Sequence, residues 1–117
     1  MTIGWKLTRE CRDTLLEQLP PAYARVVADH VTLSIVGDTS PPPVEEARIV
    51  GRADDGAGVE AMVVAVNGST ARPDGKVWHV TWSLAADRTP RESNDIIADF
   101  GWTSIAECTL VLEPAVW

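Results

Sequence analysis

Apolar residues near the start of the chain recur at helical spacing. Residues 8–19 carry an apolar stripe made of Cys11, Leu15, Leu16 and Leu19. Thr8 stands where a helix N-cap is expected, and Pro20-Pro21 follows the last turn. This pattern predicts a helix over 8–19. A short second helix is predicted over 21–28, with its apolar side chains turned inward.

Alternation of apolar and polar residues, together with turn-forming segments between the runs, predicts strands farther along. One strand begins at His30, a hairpin runs over 47–66 with its turn at 54–58, and another strand covers 76–85. Residues 105–112 alternate again and predict a closing strand. Between the last two strands, Ser93 resembles an N-cap and predicts a helix over 94–100. Strands and helices that do not alternate strictly indicate a single α+β domain over 1–117, with a mostly antiparallel sheet and two or three helices.

One six-residue pattern occurs twice, and its two copies contain the only two histidines of the chain. The first motif is His30-Val31-Thr32-Leu33-Ser34-Ile35, and the second motif is His79-Val80-Thr81-Trp82-Ser83-Leu84. Side chains alternate along a strand. Each motif is therefore expected to present its histidine, threonine and serine on one face and its three apolar residues to the core.

The polar face of these motifs suits acid–base chemistry on a phosphate. Histidine exists in both protonation states near neutral pH, so His30 and His79 could take a proton from an attacking water and give one to a leaving oxygen. Thr32 and Thr81 could donate hydrogen bonds to the phosphoryl oxygens, and Ser34 and Ser83 could orient them. A single such motif in a strand is ordinary. Two copies that share four residue types in register favour an active site.

These motifs resemble the signature of the 2H phosphoesterase superfamily, in which two H-x-T/S-Φ motifs stand on neighbouring strands. Within it, the stretch W-H-V-T-W-S-L, followed by Arg88, Pro90 and S-N-D-I-I, looks most like the cyclic phosphodiesterase domain of fungal-type tRNA ligases and related small RNA-repair proteins. The resemblance implies metal-independent hydrolysis of a 2′,3′-cyclic phosphate of a nucleotide or RNA end to a 2′-phosphate. It implies His30 and His79 as the acid–base pair, Thr32 and Thr81 on the phosphate, and no cofactor.

Further residues are candidates for binding the substrate. Arg88 and Arg91, just before Ser93, could bring positive charge and a helix N-terminus to a phosphate, although a solvated loop explains them equally well. Lys76 is more typical of a solvated strand end. Three aromatic residues are candidates for stacking a nucleobase: Trp5, Tyr23 and Trp102.

Charge and composition narrow the range of partners. Seventeen acidic and ten basic residues give a formal charge of −7, and the basic residues are scattered, which argues against binding of long duplex nucleic acid. No apolar run is long enough for a membrane helix and no secretory signal is evident, so a cytoplasmic protein is expected. Cys11 and Cys108 stand alone and predict neither a disulfide nor a metal site.

Two other functions remain open at this stage. The same four residues would serve a phosphodiesterase that acts on 3′,5′-linked cyclic nucleotide signals, with a different pocket. A module that binds a nucleotide or RNA end without turnover is the alternative from another class. The intact His/Thr pair in both motifs favours an enzyme over such a module.

Overall fold

A computed structural model describes all residues, 1–117, and confirms an α+β fold with two helices and two antiparallel sheets. The eight strands are β1 (Ile3–Leu7), β2 (Arg25–Val26), β3 (His30–Ser34), β4 (Ala47–Asp54), β5 (Val59–Val66), β6 (His79–Leu84), β7 (Thr103–Thr109) and β8 (Leu112–Val116). The two helices are α1 (Arg9–Gln18) and α2 (Glu92–Phe100). Neither helix is long and apolar enough to cross a membrane.

The two sheets each contain one of the repeated motifs. The smaller sheet has the strand order β3-β1-β8 and holds the first motif on β3. The larger sheet has the order β2-β6-β5-β4-β7 and holds the second motif on β6. The two motif strands are therefore not paired partners in one sheet, and a cavity lined by residues of both strands lies between them.

A short crossover joins the two sheets and brings the motif strands together. The N–H groups of Val27 and Ala28 donate to the carbonyls of Trp82 and Thr81 on β6. Only two residues later, His30 begins β3 in the other sheet. Ala28 turns the chain at this point with a positive φ of 41°. This path places His30 close to Thr81.

The apolar core lies on both faces of the larger sheet. One cluster joins this sheet to the smaller sheet and α1, through residues such as Trp5, Val31 and Trp82. A second cluster packs Ile96 and Ile97 of α2 onto the opposite face. The helix α1 begins as predicted, because the Thr8 side chain accepts a hydrogen bond from the N–H of Cys11. Trp82 is buried in the core, as its position in the second motif predicts, and Trp78, which directly precedes the motif, is buried in the same cluster.

Two predicted elements differ in the structure, and a third element has no predicted counterpart. Residues 21–28 do not form a helix: the N–H groups of Ala22 and Tyr23 donate to the side chains of Glu60 and Ser83, and the chain then follows β6 as β2. The predicted strand over 105–112 is two strands, since the chain leaves the larger sheet after β7 and enters the smaller one as β8. The strand β1 was not predicted, and it is the central strand of the smaller sheet.

A β-bulge in β6 reverses the alternation of the second motif. Glu60 of β5 lies opposite Ser83, whereas the next residue, Ala61, lies opposite Thr81, so Trp82 is the extra residue. The Ser83 hydroxyl consequently donates to the buried Glu60 carboxylate at 2.6 Å, on the face opposite to Thr81. The prediction that Ser83 shares a face with His79 and Thr81 is wrong. Ile35 also departs from the prediction, because β3 ends at Ser34 and Ile35 is exposed.

Candidate active site

A cavity of about 550 Å³ opens between the two sheets and contains both histidines. Most of its lining side chains are polar, and they come from both motifs, from the loop before β6 and from the start of α2. The lining residues are Thr2, His30, Thr32, Leu33, Ser34, Ile35, Arg72, Asp74, Lys76, His79, Thr81, Pro90, Arg91, Asn94, Asp95 and Trp117. The structure thus brings the four central residues of the two motifs into one site.

His79 is held rigidly at the bottom of this cavity. It is only 8% exposed, and its Nδ1 lies 2.9 Å from the carbonyl oxygen of Val77. A carbonyl can only accept, so this contact assigns the proton to Nδ1 and leaves the lone pair on Nε2. Burial lowers the pKa of His79, the hydrogen bond to Val77 opposes this effect, and the positive charge of Arg72 lowers the pKa further.

His30 is oriented by a carboxylate instead of a backbone carbonyl. Its Nδ1 lies 3.0 Å from the Oδ2 of Asp29, and its side chain is 24% exposed. Lys6 lies 3.9 Å from the same carboxylate oxygen. The Trp117 ring packs against the imidazole with 4.7 Å between the ring centroids. The Asp29 contact again leaves Nε2 as the free ring nitrogen, so both histidines offer the same atom for proton transfer.

The two threonines stand two residues after the histidines and line the same cavity. The hydroxyl of Thr81 lies 2.8 Å from the hydroxyl of Ser93 and 3.3 Å from the carbonyl oxygen of Pro90. A carbonyl oxygen can only accept, so Thr81 donates to Pro90 when Ser93 donates to Thr81, and a bound ligand oxygen would take over the Thr81 proton from the Pro90 carbonyl. Thr32 lies across the cavity, and its carbonyl accepts a 3.4 Å hydrogen bond from Arg72.

Arg72 is the main site residue that the sequence did not reveal. Its side chain is almost completely buried, and its guanidinium forms two hydrogen bonds with Asp74, of 3.0 and 2.9 Å. These bonds lower the pKa of Asp74 to about 2. Arg72 also reaches Thr32 and, at 3.5 Å, the side-chain oxygen of Asn94. The turn Pro73-Asp74-Gly75 is visible in the sequence, but nothing local indicates that it turns Arg72 toward the motifs.

The three residues predicted near the start of α2 have different positions. Arg91 is exposed and lines the cavity. Arg88 does not line it: the guanidinium pairs with Asp55 at 2.8 Å and Glu92 at 3.0 Å, which corrects its predicted place on a phosphate. Ser93 is fully buried behind Thr81. Ser93 is not the N-cap either, because α2 already begins at Glu92 and Arg91 precedes it with helical backbone angles.

The aromatic residues predicted as candidates for stacking a nucleobase lie in different parts of the structure. Trp5 is buried and donates to the carbonyl of Pro42, and Tyr23 donates to Asp54 outside the cavity. Trp102 lines a neighbouring second cavity. Trp117, which the sequence did not single out, lies beside His30 in the first cavity. No aromatic residue expected to stack a base therefore lies next to the histidines.

The arrangement of these groups supports proton transfer at an anionic ligand. Both imidazoles line one cavity with Nδ1 bound to a protein acceptor, and the same cavity is lined by residues that carry hydroxyl and guanidinium donors. No group of three or more histidine, cysteine, aspartate or glutamate side chains is placed to hold a metal ion. Cys11 and Cys108 are unpaired thiols.

The chain was compared with protein-family models, curated proteins and solved structures. The chain matches no protein-family model, no curated protein and no solved structure.

Proposed function

We propose that the protein is a metal-independent phosphodiesterase that hydrolyses 2′,3′-cyclic phosphates of nucleotides or RNA ends. The observation that carries this proposal is the matched orientation of the two imidazoles. Both imidazoles line the same cavity, and each Nδ1 has a protein acceptor, Val77 for His79 and Asp29 for His30, so Nε2 is the ring nitrogen that remains for proton transfer. Two such atoms on one anionic ligand are what an in-line displacement at phosphorus requires.

The environments of the two histidines suggest which role each takes. A lowered pKa keeps His79 neutral at pH 7, so we assign it the abstraction of a proton from the attacking water. His30 would then protonate the departing ribose oxygen, with Asp29 holding its ring in place. The water oxygen forms the new bond to phosphorus, and the bond between phosphorus and the 2′ or 3′ oxygen breaks.

The non-bridging oxygens of the phosphate would be held by fixed donors. Thr32 and Thr81 supply hydroxyls from the two sheets, and Arg72 supplies a guanidinium that Asp74 already orients. Such donors stabilise the charge that develops in the transition state without having to reorganise. The cavity volume of about 550 Å³ is in the range of small-molecule sites and accommodates a nucleotide.

The proposal is tested with 2′,3′-cyclic mononucleotides and with RNA that ends in a cyclic phosphate, in the presence of EDTA. We expect turnover by the wild type and a loss of about 10²- to 10⁴-fold in kcat for His30→Ala and for His79→Ala, the usual contribution of a general acid or base. Chromatography of the product identifies a 2′- or 3′-phosphate, and the resemblance predicts the 2′-phosphate.

The same assay separates the alternatives. Turnover of 3′,5′-linked cyclic nucleotides alone would support the signalling phosphodiesterase. Binding of these ligands without any turnover would support a binding module and would contradict the enzyme. Strict dependence on an added divalent ion would contradict proton transfer by a histidine pair as the whole mechanism.

A further inference from the structure

A second cavity of about 360 Å³ adjoins the one that holds the histidines. The two cavities share three lining residues, Lys76, Asn94 and Asp95. Because these residues face both spaces, a ligand in the first cavity can continue into the second one past a common wall. The second cavity contains neither histidine, and the proposed reaction does not use it.

The lining of the second cavity differs from that of the first. Its remaining walls include the apolar side chains of Val77, Ile97 and Trp102. A space with apolar walls and one aromatic residue fits a nucleobase, since any base can stack its face on an aromatic ring. The polar first cavity fits a phosphate and a ribose.

Trp102 is held in place before any ligand binds. Gly101 ends α2 with a φ of 71°, and the chain then turns back over β4. Gly51 of β4 lies directly beneath the indole: a Cβ atom there would stand 2.1 Å from the Cε3 atom of Trp102. Trp102 as a whole residue remains 38% exposed. An aromatic surface that is already ordered loses little conformational entropy when a base stacks on it.

One residue of the wall between the cavities, Lys76, carries a charge that suits a phosphate of the nucleic-acid backbone. The Lys76 side chain is exposed and faces both spaces, where the phosphate that links two nucleotides would pass. Asp95 faces the same wall and can accept a hydrogen bond from a ribose hydroxyl or a base amino group.

We infer that the second cavity receives the base of the nucleotide that precedes the cyclic end. The preferred substrate class is then an RNA end of two or more nucleotides, and cyclic mononucleotides are poorer ligands. This inference rests on the proposed function and specifies the substrate of the same site.

The test compares two product-type ligands by calorimetry: adenosine 2′-monophosphate and the diadenosine dinucleotide with a terminal 2′-phosphate. We expect the wild type to bind the dinucleotide about tenfold more tightly or better, as one stacked base provides. Trp102→Ala should abolish this difference and leave binding of the mononucleotide unchanged. Phe100→Ala is the matched control, because Phe100 is an exposed neighbouring aromatic that lines neither cavity. It should keep the difference.

A second variant keeps the inference testable if Trp102→Ala does not fold. Ala98 lines the second cavity from an exposed position on α2, so Ala98→Gln fills the space with a good helix former. It should also remove the advantage of the dinucleotide. Equal binding of the two ligands by the wild type, or an advantage that survives in both variants, would overturn the inference.

The outcome is distinguishable from a failure of the proposed function. If cyclic mononucleotides are hydrolysed and the dinucleotide has no advantage in binding, only the inference fails. If neither cyclic mononucleotides nor cyclic-ended RNA is hydrolysed and neither product binds, the proposed function and the inference fail together.

Discussion

At the scale of single residues, the two histidines differ although they stand in the same motif. His79 is buried against a backbone carbonyl, whereas His30 is partly exposed between a carboxylate and an indole ring. Burial of an imidazole disfavours its charged form. The identical motifs therefore place their histidines in environments that suit opposite roles in proton transfer.

The pH dependence of catalysis tests the role assigned to His79. A base must be deprotonated, so kcat/KM should rise with pH through the pKa of His79 in the free enzyme. Because that pKa is lowered, we expect the midpoint of the acid limb below pH 6.5 on a 2′,3′-cyclic mononucleotide. Arg72→Gln should move this midpoint upward, since the positive charge of Arg72 contributes to the lowering. A midpoint above 6.5 in the wild type would contradict the assignment.

At the scale of elements, the bulge in β6 decides which side chains of the second motif reach the cavity. Thr81 lies before the bulge and lines the cavity, while Ser83 lies after it and bonds to Glu60 on the other face. Glu60 also accepts from Arg52 and from the N–H of Ala22. Ser83 thus helps to attach the segment after α1 to the sheet.

Substitutions on either side of the bulge should have different effects. Thr81→Val removes a donor from the cavity and should lower kcat/KM about 100-fold. Ser83→Ala should leave kcat/KM unchanged and cost about 2–4 kcal/mol of unfolding free energy, because it removes one hydrogen bond to the Glu60 carboxylate and one from the N–H of Tyr23. Steady-state kinetics and urea unfolding measure both. A lower kcat/KM of Ser83→Ala, measured under conditions where the variant is folded, would contradict the placement of Ser83 on the face opposite to Thr81.

The crossover between β2 and β3 is the element that places His30. Arg12 of α1 fixes it from behind: its Nε donates to the carbonyl of Ala28 at 3.1 Å and its Nη2 to that of Val27 at 3.3 Å. These carbonyls belong to the residues whose N–H groups pair with β6. A residue far from the cavity therefore supports the position of the first motif.

Loss of this support should be measurable in stability. Arg12→Met keeps the aliphatic stem and removes two charge-assisted hydrogen bonds, so we expect a loss of about 1–3 kcal/mol in urea unfolding. Arg9→Met, at an exposed position of the same helix, is the control and should change the unfolding free energy little. Equal stability of the two variants would show that the crossover does not depend on Arg12.

At the scale of the whole molecule, the site exists only because two sheets meet. Their apolar side chains form a common core, and the histidines and threonines of β3 and β6 line the cavity between them. Building this cleft leaves one imidazole buried in its neutral form. Folding is consequently coupled to the protonation of His79.

This coupling predicts a pH dependence of stability. The pKa of His79 is lowered in the folded protein, so between that value and about 6.5 the unfolded chain binds more protons. Unfolding free energy should therefore fall as the pH drops below about 6.5, and His79→Gln should remove this part of the slope. Asp74, with its pKa of about 2, responds only at lower pH. Parallel slopes for the two proteins between pH 7 and 5 would contradict the prediction.

The sequence alone predicted the local features of the fold and the centre of the site. The Thr8 cap and the apolar stripe of the first helix, the hairpin of β4 and β5 and the faces of His30 and His79 all follow from the periodicity of neighbouring residues. The β1 strand, which was missed, and the segment over 21–28, which was wrongly predicted as a helix, do not depend on neighbouring residues. Their backbone hydrogen bonds go to residues distant in the chain.

Only the tertiary structure decided which charged side chains join the histidines. Arg88 looks as suitable for a phosphate as Arg91 does, yet Asp55, on a distant turn, pairs with it and holds it elsewhere. Arg72 and Trp117 lie far from the motifs in the chain and enter the cavity through folding. The spacing of residues along a strand determines the face on which a side chain lies. Its partners across the cleft depend on how the two sheets pack, which residue spacing does not encode.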